Sequence, residues 1–144
     1  MATLAAVLST VATQVLTVSG SVVAEATYDE LRAGGRSPRH KEFAVGLGQS
    51  QPGDRLGRQR PSSGDPTRHR LAVGTHYQMA SKDRASGYRD AVAWGESIRG
   101  VLVAAGTWHG DANIAWTGTT RQPGPDGWLY LDLTFDLLHT DPLT

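Results

Sequence analysis

One stretch, residues 128–137, constrains this chain more than any other. Leu129, Leu131, Leu133, Phe135 and Leu137 take every second position, with Trp128, Tyr130, Asp132, Thr134 and Asp136 between them. Successive side chains on a strand point to opposite faces, so this is a strand with one apolar and one amphipathic face. Five large apolar side chains in a row must be covered, which commits the chain to a layered fold with helices packed on that side.

The remaining patterns supply the cover. Leu4, Val7, Leu8, Val11, Val15 and Val18 recur in steps of three and four, which predicts a helix that starts after a Thr3 cap and ends before Gly20. Its other face is Ser, Thr, Ala and Gln, uncharged, and suited to solvent or to a second protein. A second helix, capped by Ser86 or Ser81 and ending near Gly106, carries Tyr88, Ala91, Val92, Ile98, Val101, Leu102 and Ala105 on its apolar face. Val22 and Val23 suit a short strand, and Ala33-Gly34-Gly35 with Ser37-Pro38 mark a turn region. Phe43, Val45 and Leu47 alternate with small residues as a strand does. In the next strand Leu71, Val73, Thr75, Tyr77 and Met79 face one side, and Arg70, Ala72, Gly74, His76 and Gln78 the other. Ala112, Ile114 and Trp116 alternate ahead of a turn at 123–127. The expected fold is α+β over residues 1–144 as one domain. It has a single mostly antiparallel sheet of about four strands, two helices on one face, and a long loop between the first two main strands. The opposite face is expected to carry Trp116, Trp128, Tyr130, Asp132 and Asp136, and to meet water or a neighbouring subunit.

That loop, residues 49–66, reads QSQPGDRLGRQRPSSGDP and has no apolar period. Connections of this length are normally functional or disordered, and its composition cannot bury a core, so binding has to order it. Charge divides along the chain although the total cancels. Residues 36–70 carry a net +5 and residues 111–144 a net −4. Arg55, Arg58, Arg60, Arg68 and Arg70 on one copy, and Asp132 and Asp136 beside Trp128 and Tyr130 on the next, are therefore the candidate interface residues of a head-to-tail contact. Arg55, Arg58 and Arg60 also suit phosphates, but no aromatic is interleaved for base stacking, which favours a protein partner over DNA.

Catalytic and cofactor chemistry finds little support. The chain has no cysteine, which excludes disulfides, thiolate metal sites and thiol nucleophiles. His40, His69, His76, His109 and His139 form no HExxH pair; His69 and His76 are an odd number apart and point to opposite faces of a strand, so the histidines are expected to be ordinary surface residues. There is no GxSxG elbow and no phosphate-binding loop, and Gly46-Leu47-Gly48 lacks the third glycine and the helix of a dinucleotide site. Asp132 and Asp136 sit about 13 Å apart on one strand face, too far for a glycosidase pair. No cofactor, no metal and no catalytic residue is expected; the enzymatic alternative is a sheet-face cleft using His76, Tyr77 and Asp132. Met1 to Ala24 lacks the Lys/Arg start of a signal peptide, and Thr10, Thr13, Gln14, Thr17 and Ser19 interrupt it well short of a span of about 20 apolar residues, so a soluble chain made in the cytoplasm is expected.

The order of these elements resembles a known family, the tail terminator or tail-completion, head-to-tail joining proteins of long-tailed bacteriophages and related gene-transfer particles. The resemblance spans about residues 3–139: the N-terminal helix, VVAEATYDEL at 22–31, a hairpin whose second strand is LAVGTHYQM at 71–79, SGYRDAVAWGESIRGVLV at 86–103, and WLYLDLTFDLLH at 128–139 after a PGPDG turn. It implies a non-enzymatic virion subunit at the tail-neck junction, commonly a hexameric ring. Such a ring caps the tail tube, stops its growth, meets the neck or head-completion protein, and lets genomic DNA pass through its lumen. Another neck or tail-tube component is the alternative. Deleting residues 51–63 is expected to leave the fold intact and to abolish head-to-tail joining, as measured by the infectivity of particles carrying the deletion.

Overall fold

The computed structural model describes residues 3–33, 37–52, 66–79, 82–104, 107–108 and 112–140. In chain order these form α1 (Leu4–Leu16), β1 (Val22–Val23), α2 (Tyr28–Ala33), β2 (Glu42–Pro52), β3 (Pro66–Gln78), α3 (Arg84–Val103), β4 (Thr107–Trp108), β5 (Ala112–Pro123) and β6 (Trp128–Thr140). The sheet has six strands in the order β1-β2-β3-β6-β5-β4, two more than the four main strands of the sequence pattern, because β1 and β4 are two-residue edge pieces. Every neighbouring pair is antiparallel except β1 with β2.

The period-two pattern of β6 places it at the centre of the sheet, paired along its length with β3 on one side and β5 on the other. Leu129, Leu131, Leu133, Phe135 and Leu137 are all buried and pack with Leu71 and Val73 of β3 and Phe43 of β2. Two helices cover this face. α1 begins at Thr3, whose hydroxyl accepts a hydrogen bond from Ala6 N at 3.2 Å, and it buries Val7, Val11 and Val15. α3 buries Ala91, Trp94, Ile98 and Leu102. Its cap is Asp83, whose carboxylate accepts from Ser86 N at 3.0 Å, so Ser86 is not the cap, and Ser81 lies outside the described residues. A carboxylate at this position satisfies an orphan amide and complements the positive end of the helix dipole. Tyr88, on the expected apolar face, is exposed, and Ala105 lies outside the described residues.

Three expectations need correction. β2 continues through Pro52 and β3 begins at Pro66, so the connection is 53–65, shorter at both ends than 49–66; it lies outside the described residues together with Arg55, Arg58 and Arg60. A deletion that spares the sheet therefore starts at Gly53. Trp116 pairs with Phe135 and so shares the helix-covered face, not the opposite one. A bulge between Trp116 and Gly118 then shifts the alternation of β5, which a strict period-two reading cannot register. Third, the opposite face is not bare: the third helix, α2, packs there against β2 and β3.

Replacing Leu133, wholly buried at the centre of β6, with alanine is expected to cost about 2–5 kcal/mol, from lost transfer energy and the cavity left behind. Chemical denaturation of the two proteins measures it.

Candidate functional site

The site begins with the short helix α2. Thr27 and Glu30 form a reciprocal cap: Thr27 N donates to Glu30 Oε1 at 3.0 Å and Glu30 N to Thr27 Oγ1 at 3.2 Å. The Thr-x-x-Glu spacing is the sequence signal for this helix start, and it stands in the chain as TYDE. The cap fixes Tyr28 at the first helical position, aimed down onto the sheet.

The sheet makes room for it with glycines. A Cβ placed on Gly46 of β2 meets the Tyr28 side chain at 2.6 Å, and one on Gly74 of β3 meets it at 2.9 Å. With only backbone beneath it, the ring lies across two strands and its hydroxyl reaches the third, β6. There Tyr28 Oη donates to Asp132, 2.9 Å from Oδ1 and 2.7 Å from Oδ2. Arg32, one turn further along α2, donates to Asp132 Oδ2 at 2.8 Å and to Tyr28 Oη at 3.0 Å. Burial pushes the Tyr28 phenol above its ordinary pKa, and the hydrogen bond to the anionic Asp132 pushes the same way, against a smaller pull from the Arg32 guanidinium.

A second polar pair lies beside the first. Glu42 is fully buried, His76 nearly so, and His76 Nδ1 is 2.7 Å from Glu42 Oε2. Glu42 also accepts from the backbone of Arg39 at 2.8 Å, while the Arg39 side chain stands 3.8 Å from its other oxygen. The His76 ring packs on Tyr130 with centroids 4.6 Å apart and meets Trp128 edge-on at 6.4 Å. His69 and His139 are buried too, on the helix-covered face, so three of the five histidines correct the surface expectation. His69 and His76 do point to opposite faces, as their odd spacing requires.

Between α2 and β5 these groups leave a cavity of about 200 Å³. Arg32, His76, Thr120, Gln122, Tyr130 and Asp132 line it. Of the predicted interface residues, Tyr130 and Asp132 thus belong to this cleft, with Trp128 next to it. Arg68, Arg70 and Asp136 share the same face nearer the far end of the strands, where Arg70 stands opposite Asp136 in register and all three line a small cleft with Gln49. Arg55, Arg58 and Arg60 fall outside the described residues. The enzymatic trio is not brought together. Tyr77 is buried on the other face, 4.6 Å from the His40 ring and 5.7 Å from that of Trp94. His76 faces Glu42, and Asp132 is held by Tyr28 and Arg32. The groups lining the cleft are the guanidinium of Arg32, the imidazole of His76, the carboxylate of Asp132, the hydroxyls of Thr120 and Tyr130 and the amide of Gln122. Glu42, Tyr28 and Arg32 were not singled out as site residues by pattern.

No protein-family model matches the chain, and no curated protein matches it. Among solved structures, a chain in the virion of a native gene transfer agent particle matches with a TM-score of 0.51 over 90% of this chain and 91% of that one, at 15% sequence identity. The likeness is one of fold, carried across nearly the whole of both chains.

Replacing Tyr28 with phenylalanine removes the hydroxyl shared by Asp132 and Arg32 and is expected to cost about 1–2 kcal/mol. The elevated Tyr28 pKa stabilises the folded chain fully below the ordinary phenol value of about 10, and that contribution fades as pH rises through the folded value. Thermal melting across alkaline pH is expected to show a steeper loss for the wild type than for Tyr28→Phe.

Proposed function

We propose that this chain is a structural subunit of a phage-like virion, and within it the tail terminator: a homo-oligomeric ring at the tail-neck junction that caps the tube, stops its polymerisation and joins it to the capsid neck. The observation that supports a virion subunit is the fold shared with a virion chain over 90% of this chain and 91% of that one, and the tail-terminator role rests on the resemblance of element order. The site chemistry supports it, since Asp132 is engaged by Tyr28 and Arg32 and Glu42 by His76, and His76, Tyr77 and Asp132 do not converge on a reacting atom.

A subunit that ends a polymer has to match the tube on one surface and refuse further tube subunits on the other, so its function resides in interfaces. On this reading the partners are copies of the chain itself, the tail-tube protein and the neck or head-completion protein, with DNA passing through the lumen. Arg68, Arg70, Trp128, Tyr130 and Asp136 are the contact residues of the sheet face together with Arg55, Arg58 and Arg60, while Asp132 acts by holding Tyr28 and Arg32 in place. No helix among the described residues is long and apolar enough to cross a membrane.

Two measurements test the proposal. The purified protein is expected to form a closed oligomer of one fixed mass, with a hexamer the expected size, and a reconstruction of the particle is expected to place a single ring of this chain between capsid and tail. Copies repeated along the tube, or a polymer of open-ended mass, would instead make it a tube component.

A further inference from the structure

The two lateral edges of the sheet are stepped, and the steps are complementary. At one edge β1 pairs only with Glu42 and Phe43, at the start of β2, so among the described residues the rest of β2 has no neighbour on its outer side. At the other edge β4 pairs only with Ala112 and Asn113, at the start of β5, and the rest of β5 is open in the same way. β2 and β5 run in opposite directions, so the β1 step stands at the end of the sheet where Gln78 meets Trp128, and the β4 step at the end where Pro66 meets Thr140. Two copies set side by side at one level therefore interlock: the β1 step of one faces the open part of β5 in the next, antiparallel to it, and the β4 step faces the open part of β2.

The side chains fit the same arrangement. Five large apolar residues are exposed among those described, and four flank these edges: Leu16, Val22 and Val23 at the β1 side and Trp116 on β5. Trp116 is held ready for contact. Its indole Nε1 donates to Thr119 Oγ1 at 2.9 Å, and the Arg99 guanidinium stacks 3.9 Å from its ring centre, itself tied to Glu96 at 3.1 Å. The opposite edge offers a hollow of about 310 Å³ bounded by Leu8, Ser9, Ala12, Val23, Ala24 and Val45. It lies on the helix-covered side at the level of Phe43 to Val45. Trp116 stands level with Phe135, Leu71 and Leu47 across the sheet, within two residue pairs of that hollow. Trp and Arg are among the residue types most enriched at the energetic centres of interfaces, and the Arg99 stacking holds the Trp116 ring in place.

We infer that the occupant of the α1/β1 hollow is Trp116 of a second copy of this chain, brought there by pairing of the β5 edge of one copy with the β1–β2 edge of the next. The contact joins different surfaces on the two copies, so it propagates in one direction and closes into a ring when the rotation allows. Strand pairing across it supplies main-chain hydrogen bonds to groups otherwise left at open edges, and Trp116 sets the register. This deepens the self-assembling ring proposed above and rests on it.

The test uses the full-length protein, with oligomeric mass followed by native mass spectrometry and sedimentation. Trp116→Ala removes the knob and Ser9→Trp, at an exposed position on α1, fills the hollow; each is expected to raise the concentration for half-assembly at least about tenfold while leaving the circular dichroism of the monomer unchanged. Because the chain has no cysteine, direction is read from single-cysteine variants. Ser9→Cys and Thr117→Cys, each alone with a short bis-maleimide, are expected to stay uncoupled, and the mixture to give the mixed dimer. Rings that form equally well in both variants, a Ser9→Cys variant coupling to itself, or no mixed dimer would overturn the edge contact and leave the ring reading standing. A wild-type chain that stays monomeric at every concentration would overturn both.

Discussion

The structure depends on β6 being buried on one face along its whole length while its neighbours pair on both sides. An antiparallel strand in the centre of a sheet satisfies its backbone through both edges, so its side chains alone decide which way the sheet faces. In β6 every odd residue from Leu129 to Leu137 is apolar and buried, and every even residue from Trp128 to Leu138 is half-buried. A slip of one residue against β3 would carry Asp132 and Asp136 into the core. The long register between β3 and β6, unbroken from Pro66–Thr140 to Gln78–Trp128, is therefore fixed by polarity and needs no special turn. The interruptions fall instead on the outer strands: β2 is bulged between Leu47 and Ser50, and β5 between Trp116 and Gly118. Bulges of this kind bend a strand and increase its twist, so curvature enters near the edges while the centre stays regular.

With one face sealed by α1 and α3, the other is free to hold polar structure, and small residues set where. Ala44, Gly46, Ala72 and Gly74 lie on this face of β2 and β3, and their lack of bulk lets α2 approach the backbone until the Tyr28 ring rests on it. The hydroxyl then meets Asp132, so one side chain braces three strands. Glu42 and His76 illustrate the opposite economy. A buried carboxylate is tolerated only where hydrogen bonds and an adjoining base offset its desolvation, and Glu42 has the backbone of Arg39 on one flank and His76 on the other. Both polar pairs join segments distant in sequence, residue 28 to 132 and residue 42 to 76, and so hold the β1–α2 corner against the sheet.

The parts of the fold that repeat were legible in the sequence. Thr3 as a cap, the α1 stripe of valines, the inward row of β6 and the opposed faces of His69 and His76 all follow from a period of 3.6 or 2 and are found in place. What was missed depends on tertiary context. α2 spans six residues, too short to show a period, although its Thr-x-x-Glu cap was there to be seen. Trp116 keeps the parity of Ala112 and Ile114 and so lies with them on the helix-covered face, which its assignment beside Trp128 and Tyr130 overlooked, and Glu42 drew no notice as a site residue because nothing local announces the histidine that meets it 34 residues later. The cleft itself was partly visible, in Tyr130 and Asp132, but its other wall comes from Arg32 and from Thr120 and Gln122 beyond the bulge. Those residues gain a common location only when β5 has been paired with the correct offset.

The same asymmetry bears on how such a chain avoids indiscriminate aggregation while keeping two open edges. A flat, straight edge pairs with any other edge in many registers. Here, among the described residues, each edge is divided, with a two-residue strand at one end and no neighbouring strand along the remainder, so a copy that brings its β4–β5 edge inverted against the β1–β2 edge sets step against step. The orientation that places β1 beside β5 and β4 beside β2 lets both steps close, as does a two-fold pairing of like edges, and Trp116 facing the α1/β1 hollow favours the first. Steric exclusion of this kind selects against wrong partners without adding attraction to the right one, which leaves the strength of the contact to a few side chains such as Trp116. An assembly built so can be specific and still readily dissociable at low concentration, a property suited to subunits that must remain separate until a growing structure presents them with a place to dock.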